Sequence, residues 1–150
     1  MVSAVAVFQG KVNGTVHFIK EGRKMAIYLN ITGLKKNSLH GFHIHEYGDL
    51  TDGCNSCCSH YNPHKKTHGC PGMKNRHVGD LGNIHTNREG VASYVFYDNV
   101  IETRGKYSIV GRSLIIHEDP DDCGHGVNEE SLKTGNSGKR IACAVIGLCR

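Results

Sequence analysis

Histidine is the residue type whose number and spacing in this sequence most clearly allow chemistry. The chain contains eleven histidines, and imidazole is the side chain that most often binds transition metals in proteins. His43 and His45 lie two residues apart in the segment GFHIHEYGD, within a predicted strand. Side chains at this spacing leave the same face of a strand, so both rings can reach one ion. Such pairs also occur as ordinary surface residues, so the pair alone does not establish a site.

A second group of candidate ligands follows in a long segment that has no sustained hydrophobic period. It contains His60, His68 and His77, and Asp80 comes three residues after the last of these histidines. Three imidazoles and one carboxylate form a closed tetrahedral set of the kind that zinc takes in structural sites. The segment therefore predicts a zinc site.

His117 ends a later predicted strand, immediately before a second irregular segment. If that strand lies beside the one that carries His43 and His45, the three rings meet and form part of an all-nitrogen site. Four imidazoles suit Cu(II) in tetragonal geometry, whereas a set that includes a carboxylate suits zinc. The sequence thus predicts two different metals close to each other.

Short strands must position these residues. Alternation with a period of two residues and frequent turn signals predict eight strands, at 3–9, 15–19, 25–31, 39–46, 91–97, 107–109, 114–117 and 141–148. Such a series is typical of an all-β antiparallel sandwich or barrel. The length of 150 residues suits a single domain over 1–150. Two long loops, at about 47–79 and 118–139, interrupt the strands, and loops of this length usually serve a function.

The second loop also contains a possible short helix. Asn128 would cap it, with Glu129 and Glu130 at its positive end. A plain turn explains the same residues equally well.

Composition argues against several classes of protein. The net charge is +4, but the basic residues are scattered and do not form a stripe interleaved with aromatics, which disfavours nucleic-acid binding. No stretch approaches the roughly 18 to 20 apolar residues that span a bilayer. The first residues lack a basic leader and a cleavage site, so we expect a cytoplasmic protein. In that compartment the seven cysteines are expected to be thiols or metal ligands, and their odd number leaves at least one unpaired within the chain.

Five segments, in order, resemble the motifs of the intracellular copper/zinc superoxide dismutases. They are GFHIHEYGD, HVGDLGN, VGRSLIIHEDPDDCGHG, NEESLKTGNSGKR and IACAVIG, and with their spacing they cover most of the chain from Gly41 to Gly147. The resemblance implies an eight-stranded antiparallel Greek-key barrel or sandwich that holds one copper and one zinc ion. It also implies disproportionation of the superoxide anion.

The same resemblance implies a role for each metal-site residue. The implied copper ligands are His43, His45, His60 and His117. The implied zinc ligands are His60, His68, His77 and Asp80. His60 would therefore bridge both ions as an imidazolate, a form that only cations on both nitrogens can hold at neutral pH.

Further roles come from the resemblance alone. Asp121 matches a carboxylate that links a copper-site histidine to a zinc-site histidine, although it also lies in a run of acidic loop residues. Arg140 matches an arginine that holds the anion beside copper, and a salt bridge at the strand end is the alternative. The residues implied in electrostatic guidance are Glu129, Glu130, Lys133 and Thr134, which could equally be solvated loop residues.

The cysteines match the family only in part. Cys54 and Cys143 occupy the positions of the family's disulfide. The cysteines that depart from the pattern, and that we expect to be free thiols able to form alternative disulfides, are Cys57, Cys58, Cys70, Cys123 and Cys149. Cys57 and Cys58 leave open which cysteine of the loop forms the bridge to Cys143. The spacing Cys54-x-x-Cys57 resembles half of a zinc knuckle, but no second pair completes it.

The resemblance also implies partners. Family members usually form homodimers through the region of Tyr47 and Gly48 and the last strand, where Ile146, Leu148 and the surroundings of Gly111 could form an apolar patch. A copper chaperone is a further possible partner. Two alternative functions are a copper-delivery module without turnover and an interaction protein that keeps the fold but has lost activity.

Overall fold

A computed structural model of the chain describes residues 3–150, and the regular secondary structure of these residues is almost entirely β. The described residues form nine strands: β1 (Ser3–Phe8), β2 (Asn13–Glu21), β3 (Lys24–Thr32), β4 (Leu39–His45), β5 (Thr51–Cys54), β6 (Asp80–His85), β7 (Ala92–Asp98), β8 (Ser113–His117) and β9 (Arg140–Cys149). One short helix, α1 (Ser131–Thr134), and a 3-10 turn (Asn55–Cys57) complete the regular structure of these residues.

Eight of the strands form one antiparallel sheet in the order β6-β4-β8-β9-β1-β2-β3-β7. The two edge strands, β6 and β7, also contact each other, so the sheet curls into a nearly closed barrel. Strands that are distant in sequence, such as β3 and β7 or β4 and β8, are neighbours, which gives the barrel its Greek-key connections. The predicted all-β antiparallel barrel is confirmed.

The barrel is filled by alternate residues of its strands. Fully buried core residues include Phe18 of β2, Ile27 of β3 and Phe42 of β4. In β4 the alternate residues are buried as well, because the two long loops cover the outer face of this strand. His43 and His45 lie on that covered face, while Phe42 and Ile44 point into the core. One strand therefore serves the core on one side and the histidine cluster on the other.

The strands of the sheet differ from the predicted strands in two places. Residues 107–109 do not form a strand, and only an isolated bridge joins Ser108 to Glu102, although Ile109 is buried in the core. Strand β6 was not predicted, because its sequence contains Asn83 and Gly82, which favour turns over strands. Gly82 has a φ of 77°, a left-handed conformation that suits glycine.

The two long loops occur where they were predicted, and each contains some regular structure. The first contains β5 and the 3-10 turn, and the second contains α1. Asn128 accepts a hydrogen bond from the Ser131 amide through its side chain at 3.1 Å, as a capping residue does. The helix begins later than the sequence suggested, at Ser131.

Two disulfides fasten these loops. One joins Cys54 to Cys143 and the other joins Cys70 to Cys123. The expectation that Cys70 and Cys123 are free thiols is therefore wrong; folding brings their Cα atoms to 5.1 Å from each other, although 53 residues separate them in sequence. Cys57, Cys58 and Cys149 are free thiols, and Cys57 is buried. Among residues 3–150, no helix has the length and apolar character needed to cross a membrane.

A buried ion pair, absent from the sequence-based expectations, holds the first loop against the barrel. Arg76 lies 2.6 Å from Asp98 at the end of β7, and both side chains are almost inaccessible to solvent. Arg76 also donates to the carbonyl oxygens of His77 and Val78. It therefore fixes the backbone beside one of the predicted metal ligands.

We expect the substitution Arg76→Met to lower the free energy of unfolding by about 3–5 kcal/mol, because it leaves the Asp98 carboxylate buried without its cation. Urea unfolding of the purified variant measures this loss. Arg88→Met is the matched control, since Arg88 is exposed and its replacement is expected to change stability by less than about 0.5 kcal/mol. Equal stabilities of the two variants would contradict a structural role for Arg76.

Candidate metal centre

Strand pairing brings the predicted site residues together in register. His43 of β4 lies opposite Asp80 of β6. His45 forms an isolated bridge with His60 of the first loop. At the end of β8, His117 lies opposite Arg140 of β9, next to a bulge. The sheet therefore places residues that are far apart in sequence directly beside each other.

The first cluster contains four buried histidines, each with one ring nitrogen within 4.8 Å of the others: His43, His45, His60 and His117. The Nδ1 atom of His45 donates to the carbonyl oxygen of Cys58 at 2.8 Å. The Nδ1 atom of His117 does the same toward Gly138 at 3.1 Å. These bonds fix the tautomers, so the two Nε2 atoms, 3.4 Å apart, are left as metal donors.

The second cluster is built around Asp80, which is fully buried. Its Oδ1 atom lies 2.9 Å from Nδ1 of His60, 3.0 Å from Nδ1 of His68 and 3.1 Å from Nδ1 of His77. Its Oδ2 atom accepts hydrogen bonds from the backbone amides of Gly69 and His77. The carboxylate is thereby fixed with one oxygen facing three imidazoles.

Another set of mutually close donors takes His43 in place of His77, together with His60, His68 and Asp80. We favour His77 as the fourth member. The Nε2 atom of His43 already bonds to Asp121, whereas the Nδ1 atom of His77 lies 3.2 Å from that of His60 and faces Asp80 directly.

Both clusters fit the metals that the fold family implies. Two buried ring nitrogens have neither a hydrogen-bond nor an ion-pair partner among the described residues: Nδ1 of His43 and Nε2 of His60. Leaving a buried polar atom unpaired is costly, so these atoms need a cation or another partner. A tetrahedral zinc ion with bonds of about 2.0–2.1 Å separates its ligands by about 3.3–3.4 Å, close to the distances of 2.9–3.2 Å in the second cluster.

His60 belongs to both clusters through different nitrogens. Its Nδ1 atom faces Asp80 and His77, while its Nε2 atom is unpaired and its ring lies 4.1 Å from that of His43. A ring in this position can hold one cation at each nitrogen.

Asp121 connects the two clusters by bonding to the ring nitrogens that face away from the metal positions. Its Oδ2 atom accepts from Nε2 of His43 at 2.5 Å, and its Oδ1 atom accepts from Nε2 of His68 at 2.7 Å. These bonds leave Nδ1 of each ring as the donor for a metal. Asn83 holds the backbone of Asp121 with two hydrogen bonds, at 2.7 and 2.9 Å.

Sequence reasoning missed several residues that hold the site in place. Asn83 is one, and Gly135 is another: a Cβ atom there would collide with the side chains of Asp121 and His68. His40, which was not predicted to have a role, donates from Nδ1 to the carbonyl oxygen of His117 at 2.7 Å. None of these residues forms part of a local pattern, so no sequence signal identifies them.

Burial and hydrogen bonding set the protonation of the two clusters in opposite ways. Burial lowers the pKa of His43 and of His45 well below the usual value, and neighbouring imidazoles add to the effect. Burial opposes the charged form of His68 as well, but hydrogen bonds to Asp121 and Asp80 raise its pKa to about 9. The imidazoles of the first cluster are therefore neutral. A divalent cation that binds to the second cluster must displace a proton from His68.

A cavity of about 190 Å³ opens onto the first cluster. It is lined by His45, His60 and His117 on one side and by Arg140, Lys133 and Glu130 on the other, with Thr134 among its remaining residues. Glu129, the other residue expected to guide the substrate, is exposed and is not part of the lining.

Arg140 is fixed at the rim of this cavity. Its Nη1 atom donates to the carbonyl oxygen of Cys54 at 2.8 Å. Cys54 in turn is bonded to Cys143, three residues after Arg140 on β9. The disulfide thus holds the acceptor that orients the guanidinium.

Fold and site together define a class: β-barrel metalloproteins with two adjacent metal positions that share a histidine and open onto a small cationic cavity. The sequence model of the family described as copper/zinc superoxide dismutase matches residues 12–146. The chain belongs to the copper/zinc superoxide dismutase family, which is a family of oxidoreductases.

Individual relatives agree with this assignment. The chain is 58% identical to a Cu-Zn superoxide dismutase of Paramecium bursaria Chlorella virus 1, over 99% of this chain and 80% of that protein. It is 51% identical to the Cu-Zn superoxide dismutase of Saccharomyces cerevisiae, over 99% of both chains. A crystal structure of the clock protein EA4 superposes with a TM-score of 0.94 at 41% identity, covering 98% of this chain and 94% of that one. The comparisons do not favour the copper-delivery alternative.

Proposed function

We propose that this protein is a superoxide dismutase that converts two superoxide anions and two protons into dioxygen and hydrogen peroxide. The observation that carries the proposal is the position of His60, whose two nitrogens face two separate donor clusters. The proposal is supported by the family assignment and by the cationic cavity that leads to the first cluster.

We further propose one copper and one zinc ion per chain. The residues that would hold copper are His43, His45, His60 and His117. The residues that would hold zinc are His60, His68, His77 and Asp80. Bound copper supplies the alternation between two oxidation states that takes an electron from one superoxide and gives it to the next.

The residues of the chain would supply the remaining parts of the reaction. Arg140 and Lys133 attract the anion into the cavity, and the guanidinium, held by the Cys54 carbonyl, orients it beside the histidines. His60 lines the same cavity. Its Nε2 atom, when protonated, can donate that proton to the second substrate anion as it becomes peroxide. Asp121 keeps His43 and His68 in the required orientation.

The remaining expectations are supported to different extents. A single domain over 1–150, with a metal-binding loop at 47–79 and a channel loop at 118–139, is supported by the extent of the family match.

A homodimer is supported by exposed Leu148 and Tyr47. Ile146 is fully buried, so its inclusion in the expected apolar patch was wrong. Copper delivery by a chaperone and a cytoplasmic location stay predictions of the family resemblance.

The function is tested by measuring superoxide consumption and metal content on the same purified sample. We expect dismutation to require copper and to return when copper is restored to chelator-treated protein. A sample that binds one copper and one zinc per chain but does not consume superoxide would favour a binding module instead.

We expect the substitution Arg140→Gln to lower kcat/KM for superoxide by about 10- to 100-fold, because it removes a charged hydrogen-bond donor to the anion. Metal content should be unchanged. Lys139→Gln is the matched control, since it removes the same charge one residue away from the cavity lining. Similar losses of kcat/KM in both variants would mean that Arg140 acts only through its positive charge and not through a hydrogen bond to the anion.

A further inference from the structure

We propose that the Cys70–Cys123 disulfide is a positioning element of the metal centre, which holds the Asp121 carboxylate between His43 and His68 before metal binds. This inference rests on the proposed zinc ligation by His68.

The disulfide lies beside the hydrogen bond that it would maintain. Cys70 follows His68 by two residues, and Cys123 follows Asp121 by two residues. The bond between His68 Nε2 and Asp121 Oδ1 therefore has a covalent link close to it on both chain segments. Any separation of the first loop from the second must strain this link.

Cys123 also contacts the carboxylate directly. Its backbone amide donates to Oδ1 of Asp121 at 2.7 Å. Its φ of 59° is left-handed, a conformation that is uncommon for a residue other than glycine. The disulfide restrains the same residue through its side chain, so it helps to fix the amide that donates to the carboxylate.

The segment around the carboxylate is also held by hydrogen bonds, among them those of Asp122 with Ser131 and Asn136, and the disulfide adds a covalent link to the first loop. Asp121 lies in the irregular segment between β8 and β9. Its backbone is held by Asn83, and the His68 amide donates to the carbonyl oxygen of Leu132 at 2.9 Å. If the carboxylate moves away, His43 and His68 lose the bonds that orient their Nδ1 atoms toward the metal positions.

The same three residues do not make a separate metal site. Ligand atoms of Cys70, Asp121 and Cys123 lie within 4.8 Å of one another. The two sulfurs are, however, bonded to each other, and both carboxylate oxygens already accept hydrogen bonds. A positioning role uses all of these contacts, whereas metal binding would break them.

Zinc affinity of the metal-stripped full-length protein tests the proposal. Zinc is titrated against a competing chromophoric chelator, and hydrogen exchange is followed at 66–72 and 118–126. In the double variant Cys70→Ser/Cys123→Ser we expect the Kd for zinc to rise by about 10- to 100-fold, the effect typical of lost support behind a ligand. Exchange in both segments should be faster.

A mutant cycle identifies the route of the effect. Asp121→Asn alone is expected to weaken zinc binding by a similar factor. If the disulfide acts through Asp121, adding the two serine substitutions to Asp121→Asn should cost less than about threefold more, since coupled residues are not additive. If the serine substitutions weaken zinc binding as much in the Asp121→Asn background as in the wild-type background, the proposal is wrong.

The variant Cys54→Ser/Cys143→Ser serves as the control for general loss of stability. It removes the other disulfide, which makes no bond to Asp121 or His68, and its Kd for zinc should change by less than about threefold. Unchanged zinc affinity in Cys70→Ser/Cys123→Ser, together with a lower Tm, would also overturn the proposal. If that variant does not fold, native protein whose Cys70–Cys123 bond has been cleaved by a phosphine, as mapped by mass spectrometry, gives the same readout. Failure of the proposed zinc ligation itself would be seen separately, as wild-type protein that binds no zinc.

Discussion

Superoxide dismutation is expected to fall by about 10²- to 10⁴-fold when His60 is replaced by alanine, even when both metals are supplied in excess. The magnitude is that of a lost general acid, because the Nε2 atom of His60 is the group that can pass a proton into the cavity. The substitution also removes one ligand from each cluster. Activity must therefore be expressed per bound copper, with metal content measured on the assayed sample.

His125→Ala is the matched control for this experiment. His125 is exposed and belongs to neither cluster, so its loss should leave activity and metal content unchanged. Full activity of His60→Ala with copper and zinc both bound would remove the bridging histidine from the proposed mechanism.

Loss of the Cys54–Cys143 disulfide is expected to lower the free energy of unfolding by about 4–5 kcal/mol in the variant Cys54→Ser/Cys143→Ser. The bond spans 89 residues of sequence, and the loop entropy that it removes from the unfolded chain corresponds to this amount. Denaturant unfolding measures the change. Activity should fall too, because the Cys54 carbonyl that orients Arg140 is no longer held.

The control for the disulfide is Cys149→Ser, which removes a free thiol near the end of β9. It is expected to change stability by less than about 0.5 kcal/mol. A loss of less than about 1 kcal/mol in the double variant would contradict the chain-entropy account. In that case the bond would matter mainly for the position of Arg140.

The sequence by itself determined the class of fold and the chemical type of the site. Alternation with a period of two residues depends only on which side chains face the core, so it predicted β4 and placed His43 and His45 on one face. Histidine and carboxylate side chains have intrinsic metal preferences, so two metals could be predicted before any contact was known. The ordered motifs added the family.

Tertiary structure alone decided which distant residues meet. The missed strand β6 is polar and contains a glycine, and it is stabilised by pairing with β4 rather than by its own propensity. The Cys70–Cys123 bond and the Arg76–Asp98 pair join loop segments whose separation along the chain carries no signal of contact. The orientation of each imidazole depends on partners such as Asp121 and the Gly138 carbonyl. Local sequence patterns reflect which side chains are buried, whereas these contacts form only after the barrel has brought its loops together.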